Sequence, residues 1–327
     1  MPVLTTILPV FNGERFLPGT LDALARQSRP PDRIVVLDNC STDRTPEIAR
    51  QFRGLPCEYR RHPANIGLMN NLNEGVAFAP ETDYLHILPV DDGVKPDFFR
   101  RILDALEPIP HPAVGYSLIE RTNEQGQPFR PRHPRLRPPR RIPLRQFLAR
   151  QARLQTICCP AVIMKTGRQP VPCRFRPDLP QLADNLFFAE FAARCGHIVE
   201  IPEYLAQNRH HPFSASTHHR QQLQTWVLDE WKTMNLVLDL WKESRAIRWL
   251  RRRHLVCLFA ARSFVKIKLV RASDPEFARA IAAAARAIAG RPCWRLARLA
   301  VHLRDAGCAA LGRPPEIYDL IPTRHAP

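Results

Sequence analysis

Apolar and polar positions alternate between two rhythms over the first hundred residues. Residues 4–10 form a nearly continuous apolar run ending at Phe11-Asn12-Gly13, the pattern of a strand buried on both faces and closed by a turn. Over 14–27 the period changes, and Phe16, Leu17, Leu21, Leu24 and Ala25 recur at helical spacing until Pro30-Pro31 stops them. Residues 34–37 form a second buried strand, closed by the polar run 38–43, and Thr45-Pro46-Glu47 opens a helix over 45–52. A short strand at 57–60, a helix at 68–78 and a strand at 84–88 ending in Asp91-Asp92-Gly93 continue the series. This strand–helix alternation predicts an α/β fold with a mostly parallel sheet and helices on both faces.

The rhythm breaks between Pro108 and Pro143, where nine of 36 residues are proline. Proline at that density prevents continuous helix and weakens any central strand, leaving loop with one strand at 114–119. Helical spacing returns at 144–154, a strand follows at 161–164, and a helix over 182–194 stops at Gly196. After Trp226 the pattern becomes long, basic, amphipathic helices, including an Ala-rich stretch at 276–289 that Gly290 and Pro292 end. The patterning of Leu255, Leu258 and Phe259 with Arg262, and of Ile281 and Ile288 with Arg279 and Arg286, reads as an apolar face and an arginine face, which can lie in a headgroup region or pack on the α/β region. The expected organisation is an α/β region over 1–220, divided into halves 1–107 and 108–220, and a basic helical region over 221–327.

Composition narrows the class. A chain of 327 residues with 45% apolar and 24% charged residues can bury a substantial core. No apolar run approaches the roughly 18–20 residues that cross a bilayer. The N-terminus has no leading Lys or Arg, so its apolar stretch reads as a strand and not as a signal peptide. Nine Cys without any Cys-x-x-Cys pair argue against a disulfide framework or a zinc cluster, which makes a cytoplasmic location the expectation. The net charge of +17 is local: residues 121–153 carry +9, residues 245–304 carry +13, and the rest of the chain nets −5. Such blocks suit an anionic partner, an acidic membrane surface at the inner face included; solvated helix faces are the equal alternative. Nucleic acid is not expected, because the Arg251–253 run lacks base-reading residues, and Trp249 and Phe259 beside it have the spacing of packing positions.

In a doubly wound sheet, ligands bind beyond the carboxyl ends of the strands. The polar residues there are Asn12 after the first strand, Asp38, Ser41 and Asp43 after the second, and Asp91 and Asp92 after the fourth. Each can be a cap or turn former alone. No Gly-x-Gly-x-x-Gly follows the first strand and no P-loop motif occurs, which removes dinucleotide and P-loop chemistry.

Leu8-Pro9-Val10-Phe11-Asn12-Gly13-Glu14 and the segment Ile34 to Thr45 resemble the opening of the family 2 glycosyltransferases. Asn65-Ile66-Gly67 with Asn73-Glu74-Gly75, then Leu88-Pro89-Val90-Asp91-Asp92, resemble the family's Asn-x-Gly pair and Asp-x-Asp region. Leu182-Ala183-Asp184, Ile201-Pro202 and Arg209-His210-His211 with Ser214 and Ser216 resemble its acceptor half, so the likeness spans about residues 3–217. It implies a GT-A fold that takes a sugar from a nucleotide-diphosphate donor and transfers it with inversion to a saccharide, lipid-linked or other hydroxyl acceptor. Bacterial cell-surface polysaccharide or glycolipid synthesis is the implied setting.

Carried over by position, Asp38 accepts from the base imide, Pro9, Phe11 and Asn12 line the nucleoside pocket, and Asn65, Asp92 and Arg209 join the donor site. Asp91 with His211 holds Mg²⁺ or Mn²⁺, and Asp184 is the general base. Asp43 reads as a turn or cap residue. Pro89 stands where many members carry the first Asp of Asp-x-Asp. The Gln-x-x-Arg-Trp motif and membrane helices of processive members are absent, so single-sugar transfer is expected. The competing reading is a catalytically silent protein of the same fold, or a basic adaptor for an anionic polymer.

Overall fold

β1 (Leu4–Val10) is buried at every position, and its neighbours explain why. The computed structural model, which describes residues 2–129, 137–155, 157–211 and 227–310, sets β2 (Arg33–Asp38) and β4 (Tyr84–Ile87) parallel on its two sides, with β3 (Cys57–Arg61) parallel beyond β2. The connecting helices α1 (Leu17–Ala25), α2 (Thr45–Gln51) and α3 (Leu68–Val76) follow their strands in sequence. Together with α4 (Phe98–Leu106), α1 supplies Leu17, Leu21, Leu24, Phe98, Phe99, Ile102 and Leu103 to a core closed by Leu8, Ile34 and Val36. A β-carbon at Gly75 of α3 would lie 2.9 Å from Ile7 Cγ2, so only glycine lets α3 approach β1 this closely.

Beyond β4 the strand direction changes. The sheet runs β3-β2-β1-β4-β8-β6-β9-β5, with β7 paired to β9; here β5 is Gly93–Val94, β6 Ala113–Thr122, β7 Arg140–Arg141, β8 Val162–Lys165 and β9 Ile198–Arg209. β8 is antiparallel to both β4 and β6, β6 and β9 are parallel, and β5 and β7 are antiparallel to β9. The sheet is therefore mixed, and the parallel alternation read from the sequence describes its first half. α5 (Leu144–Ala152) precedes β8, and α6 (Ala183–Cys195) ends on Gly196 at φ 70°.

The sequence pattern marks no strand over 198–209, yet β9 is the longest in the sheet at 12 residues. Pro202 hides it. Ser117 pairs with Ile201 and Leu118 with Tyr204, so Pro202 falls in a bulge where the missing N–H breaks no ladder bond.

The chain divides into two units, one of residues 1–151 with 155–218 and one of 152–154 with 219–327. The second contains α7 (Asp229–Asp239), α8 (Arg245–Val270) and α9 (Pro275–Ala310). Ser244 caps α8 by accepting from Ile247 N. Within α9, Gly290 leaves helical geometry at φ 73° and ψ 161°. The chain turns back there: Phe264 of α8 meets Trp294 and His302, and Lys268 pairs with Asp305. Gly290 and Pro292 thus end the Ala-rich helix, as the sequence predicts, and a second helix follows them.

Leu255, Phe259 and Ile281, which the sequence assigns to an apolar face with arginines opposite, are buried inside this unit. Arg262 is no surface charge either; with Lys266 it closes on the buried carboxylate of Glu230 at 2.9 and 2.8 Å. Burial by itself would raise Glu230, but the two cations outweigh it and bring the group down to about 2. No helix among the described residues is long and apolar enough to cross a membrane.

Candidate functional site

The parallel strands β1, β2 and β4 end at one edge of the sheet, where Val10 pairs with Asp38. Their loops are stitched together by side chains. Asn12 N donates to Ser41 Oγ and Asn12 Oδ1 accepts from Thr42 N, both at 2.9 Å. Gly13 N donates to Thr45 Oγ1, Glu14 N donates to Asp43 Oδ2, and Asp43 Oδ1 accepts from Thr45 N. Asp43 is accordingly a turn-forming residue. Asn39 and Asn65 clamp the next pair of loops: Asn65 Oδ1 accepts from Asn39 Nδ2 at 2.8 Å and from Gly67 N at 2.9 Å, while Asn39 Oδ1 accepts from Ile66 N. Asn12 and Cys40 take left-handed backbone at φ 52° and 67°, and strain of this kind concentrates at binding sites.

Asp38 is fully buried at the centre of these loops. Its Oδ1 accepts from Ser41 N at 2.9 Å, its Oδ2 accepts from the Tyr59 hydroxyl at 2.6 Å, and Arg61 Nε lies 3.5 Å from Oδ2. Two hydrogen bonds and one ion pair leave acceptor capacity free on the carboxylate. Phe11 stands beside it with half of its surface exposed, whereas Pro9 is buried within β1 opposite Leu37. Of the residues assigned to a nucleoside pocket, Phe11 offers a face, Asp38 an acceptor, and Asn12 and Asn65 hold the loop shape.

A second cluster joins the end of β4 to the end of β9. Asp91 Oδ2 lies 3.1 Å from His211 Nε2. The His211 ring packs 4.9 Å from Phe16, and the Arg209 guanidinium lies 5.1 Å from the same Phe16 ring. Arg209 Nε is buried with no hydrogen-bond partner among the described residues, a donor aimed at nothing the chain supplies. Asp92 faces the other way. Its Oδ1 accepts from Asn208 Nδ2 at 2.9 Å and from Arg209 N at 3.0 Å, so the carboxylate anchors the end of β9. The carboxylate is a clamp that sets Arg209 and His211 against Asp91. Burial and the neighbouring Asp91 charge hold Asp92 well above the usual carboxylate range.

Asp184 lies in the first turn of α6, inside the helix and not at its cap. Its Oδ1 accepts from Asn185 N at 2.8 Å. Burial raises the carboxyl to about 6 against that bond. Asp184 and Asp92 both act on the half-buried thiol of Cys158, which desolvation first and these two charges next push far up. The Cys158 turn is tied to the sheet edge by His86, whose Nε2 donates to Pro160 O at 3.2 Å. Asp184 thus lies within electrostatic reach of the same thiol as Asp92. Ser214 and Ser216 lie outside the described residues.

Asp91 and His211 present one oxygen and one nitrogen donor about as far apart as adjacent ligands of an octahedral ion bonded at about 2.1 Å. No third His, Cys, Asp or Glu joins them among the described residues. The pair fits a hard divalent cation that takes its other ligands from elsewhere. Tyr59 and Asn208 were not singled out by the sequence, nor was Phe16 as a site residue, and the two hydrogen bonds that Asn73, in the second Asn-x-Gly, exchanges with the backbone of Phe175 were not foreseen. Each acts across 21 or more residues of chain, for which local pattern carries no signal.

Comparison with known proteins places these loops in context. The model of the family described as glycosyl transferase family 2 matches residues 5–169. A Bacillus subtilis protein described as the uncharacterized glycosyltransferase EpsJ is 28% identical over 126 residues, 38% of this chain and 36% of that protein. An uncharacterized glycosyltransferase of Haemophilus influenzae is 27% identical over 135 residues, 39% of this chain and 45% of that one. The chain therefore spans under half the length of these curated relatives. Among solved structures, S. aureus TarS 1-349 in complex with UDP-GlcNAc superposes with a TM-score of 0.65 at 15% identity, covering 95% of this chain and 92% of that one. The mannosyltransferase PcManGT from Pyrobaculum calidifontis, in complex with GDP-Man and Mn²⁺, gives 0.53 at 16% identity, over 98% and 83%. Both likenesses bear on the fold, which is GT-A-like. The family match covers half of the chain and runs through the loops built around Asp38 and Asp91, and on it the chain belongs to glycosyl transferase family 2.

Proposed function

We propose that the chain transfers one sugar from a nucleoside diphosphate sugar to an acceptor hydroxyl, with inversion, in the synthesis of a cell-surface polysaccharide or glycolipid. The observation that carries this reading is the Asp91–His211 pair set beside the unpartnered Arg209 Nε at the carboxyl edge of a family 2 sheet. In this reading the base lies against Phe11 and donates its ring N–H to Asp38, which suits uracil, thymine or guanine and rejects adenine. Structural relatives solved with UDP-GlcNAc and with GDP-Man carry bases of this kind.

Asp91 and His211 would hold Mg²⁺ or Mn²⁺, which would supply positive charge to the departing diphosphate. Arg209 donates to the same oxygens. Asp184 takes the proton from the acceptor hydroxyl as that oxygen forms its bond to the anomeric carbon. The bond from carbon to diphosphate oxygen breaks on the opposite face, and its electron pair leaves with the nucleoside diphosphate. A carboxyl near 6 suits this task, being mostly ionised at neutral pH and more basic than an ordinary Asp.

Thermal shift against UDP, GDP, dTDP and ADP, each with and without Mn²⁺, tests the donor site, since a ligand bound only by the folded chain raises its melting temperature with concentration. Stabilisation by UDP, GDP or dTDP that grows with Mn²⁺ supports the reading. Equal stabilisation by ADP, or none by any of the four, overturns it.

A further inference from the structure

The helix that follows Gly290 has two apolar faces. One carries Trp294, Ala297 and Val301, all buried within the helical unit. The other lies opposite on the helix and carries Leu296, Leu299 and Leu303, which are 62%, 57% and 64% exposed. Their spacing of three and four residues forms one stripe along about two turns. A helix with a single packing partner needs one apolar face, so the second is unpartnered. Scattered exposed leucines are ordinary on a protein surface, but three in register are a patch.

What borders the stripe decides what covers it. Arg291, Arg295 and Arg298 run along one side, all exposed. Asp305, which could neutralise them, is held by Lys268 at 2.6 Å and by Arg304 at 2.6 Å. A second copy of the helix packed antiparallel through the same leucines would set arginine against arginine. An anionic lipid surface satisfies both chemistries together, with the leucines entering the acyl boundary and the arginines meeting headgroup phosphates.

We infer that the outer face of residues 291–303 is a docking surface for an anionic bilayer, with Leu296, Leu299 and Leu303 as the inserting residues and Arg291, Arg295 and Arg298 as the headgroup contacts. The assignment is independent of the transferase reading, and its test uses no donor, metal or turnover. It also moves the surface from the residues the sequence pattern suggests, since Leu255, Phe259 and Ile281 are committed to the interior.

The test is co-sedimentation of the full chain with neutral phosphatidylcholine vesicles and with vesicles containing phosphatidylglycerol. Binding is expected to the anionic vesicles alone and to weaken steeply as salt rises. Replacing Arg291, Arg295 and Arg298 by Gln is expected to lower the partition coefficient about a hundredfold, at about fivefold per headgroup contact. Replacing Leu296, Leu299 and Leu303 by Ser is expected to lower it at least about tenfold at unchanged net charge. All six side chains are exposed, so circular dichroism and melting temperature should be unaltered in both variants. Equal binding of the Leu variant and the unaltered chain overturns the assignment, as does equal binding to both vesicle types. A mass that halves in sedimentation equilibrium when the leucines are replaced, with vesicle binding unchanged, would assign the stripe to a second copy instead.

Discussion

Replacing Asp184 by Asn separates a buried base from a structural carboxylate through pH. The carboxyl rises from its ordinary 3.8 to about 6 on folding because burial penalises the charge. The folded state therefore binds this proton more tightly than the unfolded chain. Stability attributable to Asp184 falls as pH rises from about 4 to 6, and above 6 the cost of the buried charge is complete. Integrated between pH 4 and pH 7, the change is about 2 kcal/mol, on the order of what linkage allows for a two-unit shift. Asn carries no charge, so its own packing and hydrogen-bond costs do not vary over this range. The stability of Asp184→Asn minus that of the unaltered chain should thus move in the variant's favour by about 2 kcal/mol from pH 4 to pH 7. Urea midpoints at pH 4, 5.5 and 7 measure it. Transfer by the variant should be lost at every pH with donor binding retained, while kcat/KM of the unaltered chain should fall about tenfold per pH unit below 6. A pH-independent stability difference would refute the buried-charge argument. A flat kcat/KM profile between pH 5 and 7 would refute the assignment of Asp184 as base.

Three further outcomes test the neighbouring groups. Asp91→Asn should abolish metal-dependent activity and metal-enhanced nucleotide binding without lowering the melting temperature, read by turnover and thermal shift against Mn²⁺ concentration. Asp92→Ala should leave Arg209 N and the Asn208 amide without an acceptor, cost about 1–3 kcal/mol in urea unfolding and weaken Mn²⁺ response through displaced His211, whereas Asp92→Asn, which keeps the accepting oxygen, should restore most of both. Glu230→Gln should destabilise the helical unit by about 3–5 kcal/mol in chemical unfolding, because Arg262 and Lys266 would remain buried without their counter-charge. Glu230 lies near 2 when folded and at 4.5 otherwise, so its contribution is present above pH 4.5 and lost on acidification towards 2; the variant's deficit should shrink over that interval.

Much of the donor-side architecture is written locally. Residues 4–10, 34–37 and 84–87 read as buried strands because flanking strands and helices cover both faces, and that demand leaves a continuous apolar run in the chain itself. Asp38 and Asp91 were legible as candidates because strand ends in this topology converge on one edge. Asp43 was legible as a turn residue because its partners, Glu14 N and Thr45, complete a tight loop. Asp91 and Asp92, adjacent and alike in the sequence, were given different roles by family resemblance alone. Only the pairing of β9, more than a hundred residues away, turns Asp92 inward to Asn208 and leaves Asp91 facing His211. β9 itself was hidden because Pro202 breaks the local pattern, while the bulge that accommodates it exists only once β6 is alongside. The basic helices show the same division. Their amphipathic spacing declares that one face packs, but both sides of α8 and α9 carry apolar residues and arginines. Glu230 lies over thirty residues before Arg262, and the turn at Gly290 lies between Lys268 and Asp305. Which arginines become core ion pairs and which leucines remain outside is therefore settled by contacts distant along the chain. Periodicity within one helix specifies that faces exist; the partner that covers each is chosen by the tertiary fold.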